Sequence, residues 1–402
     1  MSTVTHQHAS PGRVPELFLT LIATAIGLGA YFLVFLGTDG ALPENWVTVA
    51  GGFAGAAIVI HLLIRGFAPY ADPVLFPSVL ALNGIGLAMI KRIDIALGAD
   101  HFSSQALYTV AGMLLAVVTI VLIRDHRVLR RFTYTALIAS IVLILLPLVP
   151  GLGREVYGAR IWILVAGFSF QPAELAKILL AIFFAGYLVV NRDNLALAGP
   201  KFLGLQLPRL RHLAPIMSAW AVCLAVLVFQ KDLGTSLLFF GLFVSMLYIA
   251  TDRLSWMIIG GILAIGGIGV VVSAFPHVTA RFNVWLNAMD PEVYNAQYGS
   301  YQVVQGQFGM ASGGLTGTGL GNGYPTIVPQ ANSDFIIASL GEEIGMVGVF
   351  AILSLYAVIG SGVCARPRTC ATASANSWPR DCHSRSPCRC SSSLAVSPGS
   401  SH

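Results

Sequence analysis

Apolar residues along this chain come in long blocks, not in alternation with polar ones. Ten blocks stand out, near 14–37, 46–66, 72–90, 105–123, 132–149, 161–190, 213–230, 233–251, 255–275 and 335–360. Most approach the roughly 20 residues that a helix needs to cross the ~30 Å hydrocarbon core of a bilayer. In lipid every backbone N–H and C=O must find a partner within the protein, so continuous apolar blocks of this length predict helices. The short alternating segments of a membrane β-barrel are not the pattern here. The sixth block is longer than a span requires. It predicts a re-entrant or interfacial start that gives way to a helix at Pro172, where a missing N–H costs nothing. The fold class predicted is an all-α polytopic membrane protein with about ten spans and one large loop, 275–334, between the last two.

Composition agrees with the blocks. Of 402 residues, 56% are hydrophobic and only 10% charged, against roughly 25% charged in a soluble domain. That excludes soluble enzymes and nucleic-acid-binding domains. The 42 glycines suit helices that approach closely. Arg124, Arg127, Arg130 and Arg131 in one loop, Arg192, Lys201, Arg209 and Arg211 in another, and Arg253 vote for a cytoplasmic N-terminus. Lys91 and Arg92 dissent. A polar start of 13 residues without a small-residue cleavage site predicts a retained first span. This orientation puts 150–175 and 275–334 on the outer face.

The net charge of +5 and the cysteines are not spread evenly. Residues 361–402 hold five Arg, one acid, eleven Ser and five of the six Cys. Such a composition predicts no span and no core. The Cys spacings match no usual zinc site, and the expectation is a disordered tail encoded in a shifted reading frame. The domain plan is then 1–132 for the N-terminal spans, 133–360 for the core with its outer loop, and 361–402 for the tail.

Three segments carry candidate chemistry. In GREVYGARIWILVAGFSFQPAELAKILL, Glu174 sits in the first turn of a helix and Lys177 three residues on shares its face. The plain alternative is a capped helix start with a local ion pair. Arg160 and Arg154 suit an anionic headgroup or an interfacial anchor. In FQKDLGTSLLFF, Asp232 reads as a tight turn or as part of an outer mouth. The third segment is the long loop. Asp290-Pro291 follows an aromatic stretch, and Tyr301, Gln302 and Gln305 fall on an amphipathic helix. GLTGTGLGNG offers backbone nests for phosphate or a flexible turn. Asp334 suits an N-cap. Glu342 and Glu343 lie inside a span, so they face the bundle interior or a wet cavity, as an anchor or as part of a site.

Taken together these segments resemble the FtsW/RodA/SpoVE (SEDS) family of bacterial elongation and division proteins. The resemblance rests on Gly158-Ala159-Arg160-Ile161-Trp162, Gln171-Pro172-Ala173-Glu174 with Lys177, and Gln230-Lys231-Asp232-Leu233-Gly234-Thr235. It continues through Asp290-Pro291, Ser300-Tyr301-Gln302, Gly313-Gly314, Gly317 to Gly323, and Asp334-Phe335-Ile336 with Glu342-Glu343-Ile344-Gly345. The extra N-terminal spans are similar to the actinobacterial branch, and the short polar N-terminus to RodA-like members. The resemblance implies a peptidoglycan glycosyltransferase in the bacterial plasma membrane. It would polymerise lipid II, a disaccharide-peptide on undecaprenyl pyrophosphate, beside a class B penicillin-binding transpeptidase. Asp290 matches the family's essential acid, a general base on the acceptor 4-hydroxyl. Nine residues separate Pro291 from Tyr301, where the family usually has four. Arg160, Glu174, Lys177, Gln302, Asp334, Glu342 and Glu343 are the matching substrate-binding candidates. No metal ligands are assigned, and a divalent cation is the one cofactor left open. The competing functions are a lipid II flippase or transporter, and a non-catalytic scaffold. No inverted repeat supports transport.

Overall fold

A computed structural model describes residues 13–69, 71–123, 126–156, 159–165, 168–196, 201–202, 205–206, 217–218, 220–221, 233–251, 254–274, 276–296 and 299–376. The block at 213–230, the Gln230-Lys231-Asp232 motif and the tail beyond 376 lie almost wholly outside the described residues. Twelve α-helices are described. They are α1 (Arg13–Thr38), α2 (Trp46–Phe67), α3 (Leu75–Leu97), α4 (His101–Leu122), α5 (Thr133–Leu145) and α6 (Pro172–Ala196), followed by α7 (Leu233–Thr251), α8 (Leu254–Ala274), α9 (Pro276–Leu286), α10 (Pro291–Asn295), α11 (Tyr301–Gly313) and α12 (Ile336–Asn376). Seven helical segments among the described residues are long and apolar enough to cross a membrane. They match seven of the ten sequence blocks. α8 contributes a shorter apolar stretch, Leu254–Gly269. The protein is a multi-pass helical membrane protein.

Two blocks changed. The third was expected to stop at residue 90, ahead of Lys91 and Arg92, but α3 continues to Leu97 because Arg92 and Asp94 are buried against protein partners. The sixth is not helical before Pro172. Residues Gly153–Val156, Ala159–Val165 and Phe168–Phe170 form strands β1, β2 and β3 of an antiparallel sheet, with a bulge at Arg154/Glu155. The β-branched and aromatic run Ile161-Trp162-Ile163-Leu164-Val165 suits a strand. A two-residue pairing, Lys201–Phe202 (β4) with Leu205–Gln206 (β5), makes a second sheet. α12 runs past the expected limit of residue 360 to Asn376.

The chain divides into two compact units, residues 1–114 with 305–402, and residues 115–304. In the first, α1 and α3 cross with almost no side chain between them. A Cβ on Gly84 would sit 2.6 Å from the Gly27 Cα, so glycine at both positions is what permits the contact. Met89 and Ile93 of α3 pack with Val328, Ala331, Ala338, Leu340 and Ile352. In the second unit the core is aromatic. Phe183 and Phe184 of α6 pack with Phe239, Phe243 and Leu247 of α7 and with Trp256 of α8. Phe184 and Phe243 lie 5.4 Å apart at a tilt, an arrangement that adds to simple burial.

Candidate functional site

Asp290 is positioned entirely by local structure in the second unit. α9 ends at Leu286, and the Asn287 N–H donates to the Asn283 carbonyl, the Asp290 N–H to the Asn287 carbonyl. Proline at 291 then starts α10, and Asp290 becomes its N-cap. Its Oδ1 accepts from the Glu292 N–H at 2.9 Å, which is the geometry expected of an aspartate preceding a helix. The carboxylate is exposed, and Oδ2 has no protein partner among the described residues.

The chain then folds back on itself. The Gly299 N–H donates to Ala296 and the Ser300 N–H to Val293. A Cβ on Gly299 would meet three carbonyl oxygens, the nearest at 2.3 Å, so a side chain has no room there. Ser300 is fully buried, and its hydroxyl donates to the Ala288 carbonyl, two residues before Asp290. Tyr301 meets Tyr294 edge-on at 5.5 Å. The described residues between Pro291 and Tyr301 thus close a knot that holds Asp290. Sequence reasoning placed Ser300 in the Ser300-Tyr301-Gln302 motif but gave it no role of its own. Gln302 follows, half-buried, at the second position of α11.

The other candidates of this unit lie on the sheet and α6. Arg160, on β2, pairs with Glu155 on β1 at 3.2 Å, and both side chains are more than half exposed. Glu174 lies in the first turn of α6 and meets Lys177 at 2.8 Å. An exposed pair of this kind contributes about 1 kcal/mol or less to stability. Its charges are therefore available for a ligand at little structural cost.

The remaining candidates belong to the first unit, where the geometry is of a different kind. α12 breaks at Gly345, with φ 70° and ψ −179°. In an unbroken helix the N–H groups of Met346 and Val347 would bond to the carbonyls of Glu342 and Glu343. They donate instead to Gly314 and Leu315, and the Glu342 and Glu343 carbonyls accept from Thr318 and Gly319. The glycine-rich loop is therefore inserted into the helix ladder and satisfies both halves of the break. That is the condition on which irregular backbone is tolerated in a membrane-spanning helix. A Cβ on Gly317 would lie 2.2 Å from the Glu343 carbonyl oxygen, and one on Gly345 2.3 Å from the Gly317 nitrogen. Both residues have positive φ, so glycine is required twice over.

The two side chains complete the junction. Glu342 accepts from the Tyr324 N–H at 2.9 Å, and Glu343 from the Gly321 N–H at 3.0 Å. Arg92 reaches from α3, donating from Nε to Glu343 at 2.7 Å and from a terminal nitrogen to the Gly323 carbonyl at 2.6 Å. Glu343 is 1% exposed and Glu342 6%. Amides of the run that the sequence offered as a phosphate nest are thus engaged within the chain, Thr318 and Gly319 by the carbonyls of Glu342 and Glu343 and Gly321 by the Glu343 carboxylate. Of the two roles open to the glutamates, this geometry is that of an anchor. Arg92 had entered the sequence reading only as a dissenting charge. Asp334 is exposed, two residues before α12 begins. Among the described residues no three His, Cys, Asp or Glu side chains cluster as metal ligands.

Comparison with known proteins places these features in a wider group. The FtsW/RodA/SpoVE family, described as cell cycle protein, matches residues 73–370. The peptidoglycan glycosyltransferase RodA of Mycobacterium tuberculosis (strain ATCC 25618 / H37Rv) is 43% identical over 355 residues, which is 86% of this chain and 75% of the relative. That of Mycobacterium leprae (strain TN) is 46% identical over 306 residues, 74% of this chain and 64% of the relative. A solved chain described as "Structural coordination of polymerization and crosslinking by a peptidoglycan synthase complex" superposes with a TM-score of 0.44 at 20% identity, over 86% of this chain and 74% of that one.

Proposed function

The chain belongs to the FtsW/RodA/SpoVE family, as a RodA-like member, and from that premise we infer that it is a peptidoglycan glycosyltransferase of the bacterial cell wall. Its substrate on this reading is lipid II. The acceptor's 4-hydroxyl loses its proton to the Asp290 carboxylate as its oxygen attacks the donor's anomeric carbon. A β-1,4 bond forms, the bond from that carbon to the pyrophosphate oxygen breaks, and the lipid pyrophosphate leaves with the electron pair. The observation that carries this reading is the exposed Asp290, held by a closed knot and with one oxygen committed to capping and the other open.

Asp290 belongs to a segment between two apolar helices, on the outer side of the membrane in this proposal. Arg160 keeps terminal guanidinium nitrogens beyond its Nε contact with Glu155 and suits the donor pyrophosphate, which an arginine fork can grip at two oxygens. Glu174, Lys177 and Gln302 suit the sugar and peptide portions. Asp334 has no role assigned beyond its exposed place before α12. Glu342 and Glu343 act indirectly, by fixing the loop that follows α11. A class B penicillin-binding transpeptidase is the proposed partner. The test is polymerisation of labelled lipid II by the purified chain in liposomes. New glycan chains support the reading. Movement of lipid II between leaflets without chains would favour a flippase, and transpeptidase capture without either activity a scaffold.

A further inference from the structure

The segment leading into Asp290 carries a second pattern that the glycosyl-transfer chemistry does not use. Val278, Phe282, Trp285, Leu286 and Met289 recur at helical spacing through FPHVTARFNVWLNAMDP, with Thr279, Arg281, Asn283 and Asn287 between them. α9 is therefore amphipathic. The near end of its apolar stripe is covered, since Val278 is buried and Phe282 half-buried. The far end is bare: Trp285 is 75% exposed, Leu286 64% and Met289 60%. Phe282 meets Trp285 edge-on at 6.3 Å, so the bare part continues the packed part.

The position of this stripe identifies what covers it. One residue separates α8 from α9, and the Thr279 hydroxyl donates to the Val272 carbonyl in the last turns of α8 at 2.6 Å. α9 thus begins where an apolar helix ends, one that exposes Ile262, Leu263 and Ile265 earlier along its length. Tryptophan at the end of a membrane helix sits at headgroup level, with its ring in the apolar boundary and its N–H in the wet layer. An amphipathic helix with one apolar side lies in the same zone.

We propose that Trp285, Leu286 and Met289 form an interfacial wedge that seats in the phospholipid headgroup–acyl boundary and sets the depth of Asp290. The proposal rests on the reading of Asp290 as the base. Its functional content is that a lipid-linked substrate exposes its sugar–pyrophosphate bond at this depth. Asp290 follows Met289 directly and meets that bond without the substrate leaving the bilayer.

The test uses the full chain in phosphatidylcholine–phosphatidylglycerol vesicles, with and without lipid brominated near the top of its acyl chains. The emission lost on substituting Trp285→Phe isolates the Trp285 signal. Quenching of that signal by brominated lipid is the expected result. Quenching by aqueous iodide alone, or by neither agent, overturns the wedge, the second outcome meaning that protein covers the ring. In parallel, Leu286→Gln with Met289→Gln should slow polymerisation in vesicles about tenfold, from the loss of buried apolar surface. The same variant in detergent micelles, where depth is not imposed, should lose less than in vesicles. An equal loss in both media overturns the depth-setting role. Asp290→Asn separates the two readings. If that variant still polymerises while Trp285 is quenched by lipid, the catalytic assignment fails and the wedge stands. If polymerisation stops and Trp285 is unquenched, the wedge alone fails.

Discussion

Removing the Arg92 guanidinium tests how the glycine-rich loop is held in the broken helix. Arg92→Met keeps most of the side chain's apolar stem and deletes three features at once. The Glu343 carboxylate loses its 2.7 Å ion pair, the Gly323 carbonyl loses its donor, and the charge of Glu343 stays behind with its side chain fully buried. Breaking a buried pair from one side costs roughly 3–5 kcal/mol, most of it from the stranded charge. The Gly321 N–H still serves Glu343, which places the expected loss toward the lower end of that range.

Arg92→Met combined with Glu343→Gln should recover much of this loss. The neutral amide oxygen can still accept from Gly321, and no buried charge is left without its partner. A buried pair replaced on both sides is often close to neutral. The double variant should therefore fall within about 2 kcal/mol of the parent, with a coupling of at least about 1 kcal/mol between the two changes. Equilibrium unfolding of all four proteins in the same detergent measures the cycle. Additive single effects, or an Arg92→Met protein as stable as the parent, would refute the junction as described.

Two further predictions concern the unit that holds Asp290. Ser300→Ala leaves the Ala288 carbonyl without its buried donor, a loss of about 1–3 kcal/mol; it should lower kcat for polymerisation while KM stays within about twofold, and a pure KM effect would contradict the positioning role. Glu174→Gln and Lys177→Met break an exposed pair, so unfolding midpoints should hardly move, a change of about 1 kcal/mol or less, while lipid II titrations show a raised KM; unchanged KM in both variants would remove the pair from the substrate site.

Much of the helical plan was legible because lipid leaves the backbone few choices. The block 46–66 became Trp46–Phe67, and 233–251 became Leu233–Thr251. The misses have different physical reasons, one a partner far away in sequence and one a short strand hidden in an apolar run. α3 was expected to end before Lys91-Arg92, since unpaired charge in lipid is expensive. Its continuation depends on Glu343, 251 residues away, a pairing that no local pattern announces. Ile161–Val165 was counted into a span for its hydropathy. Its five residues, three β-branched, between Arg160 and the Ala-Gly at 166–167 carried the shorter signature of a strand.

The candidate site was legible to a different degree at each residue. Asp290-Pro291 stood out in the sequence as a motif on the long loop, and the structure adds that Asp290 caps the helix that Pro291 starts. Glu342 and Glu343 were confined to the interior by the cost of charge in lipid, and both are buried. Their partners were not legible, because the same glycine run that suits a phosphate nest also suits insertion into a broken helix. Only the positions of Gly314 to Gly319 against Gly345 distinguish the two. Ser300 was visible as a motif residue, but its role was not, because that depends on a carbonyl twelve residues back.

The most direct test of the central claim is the rate of glycan-chain formation from labelled lipid II in liposomes by Asp290→Asn beside the parent. The substitution keeps the side chain's size and its capping oxygen, so the α10 start and the unfolding midpoint should stay near those of the parent. The account predicts a folded variant that binds lipid II and makes no chains. A folded Asp290→Asn protein that polymerises at the parent's rate would contradict it.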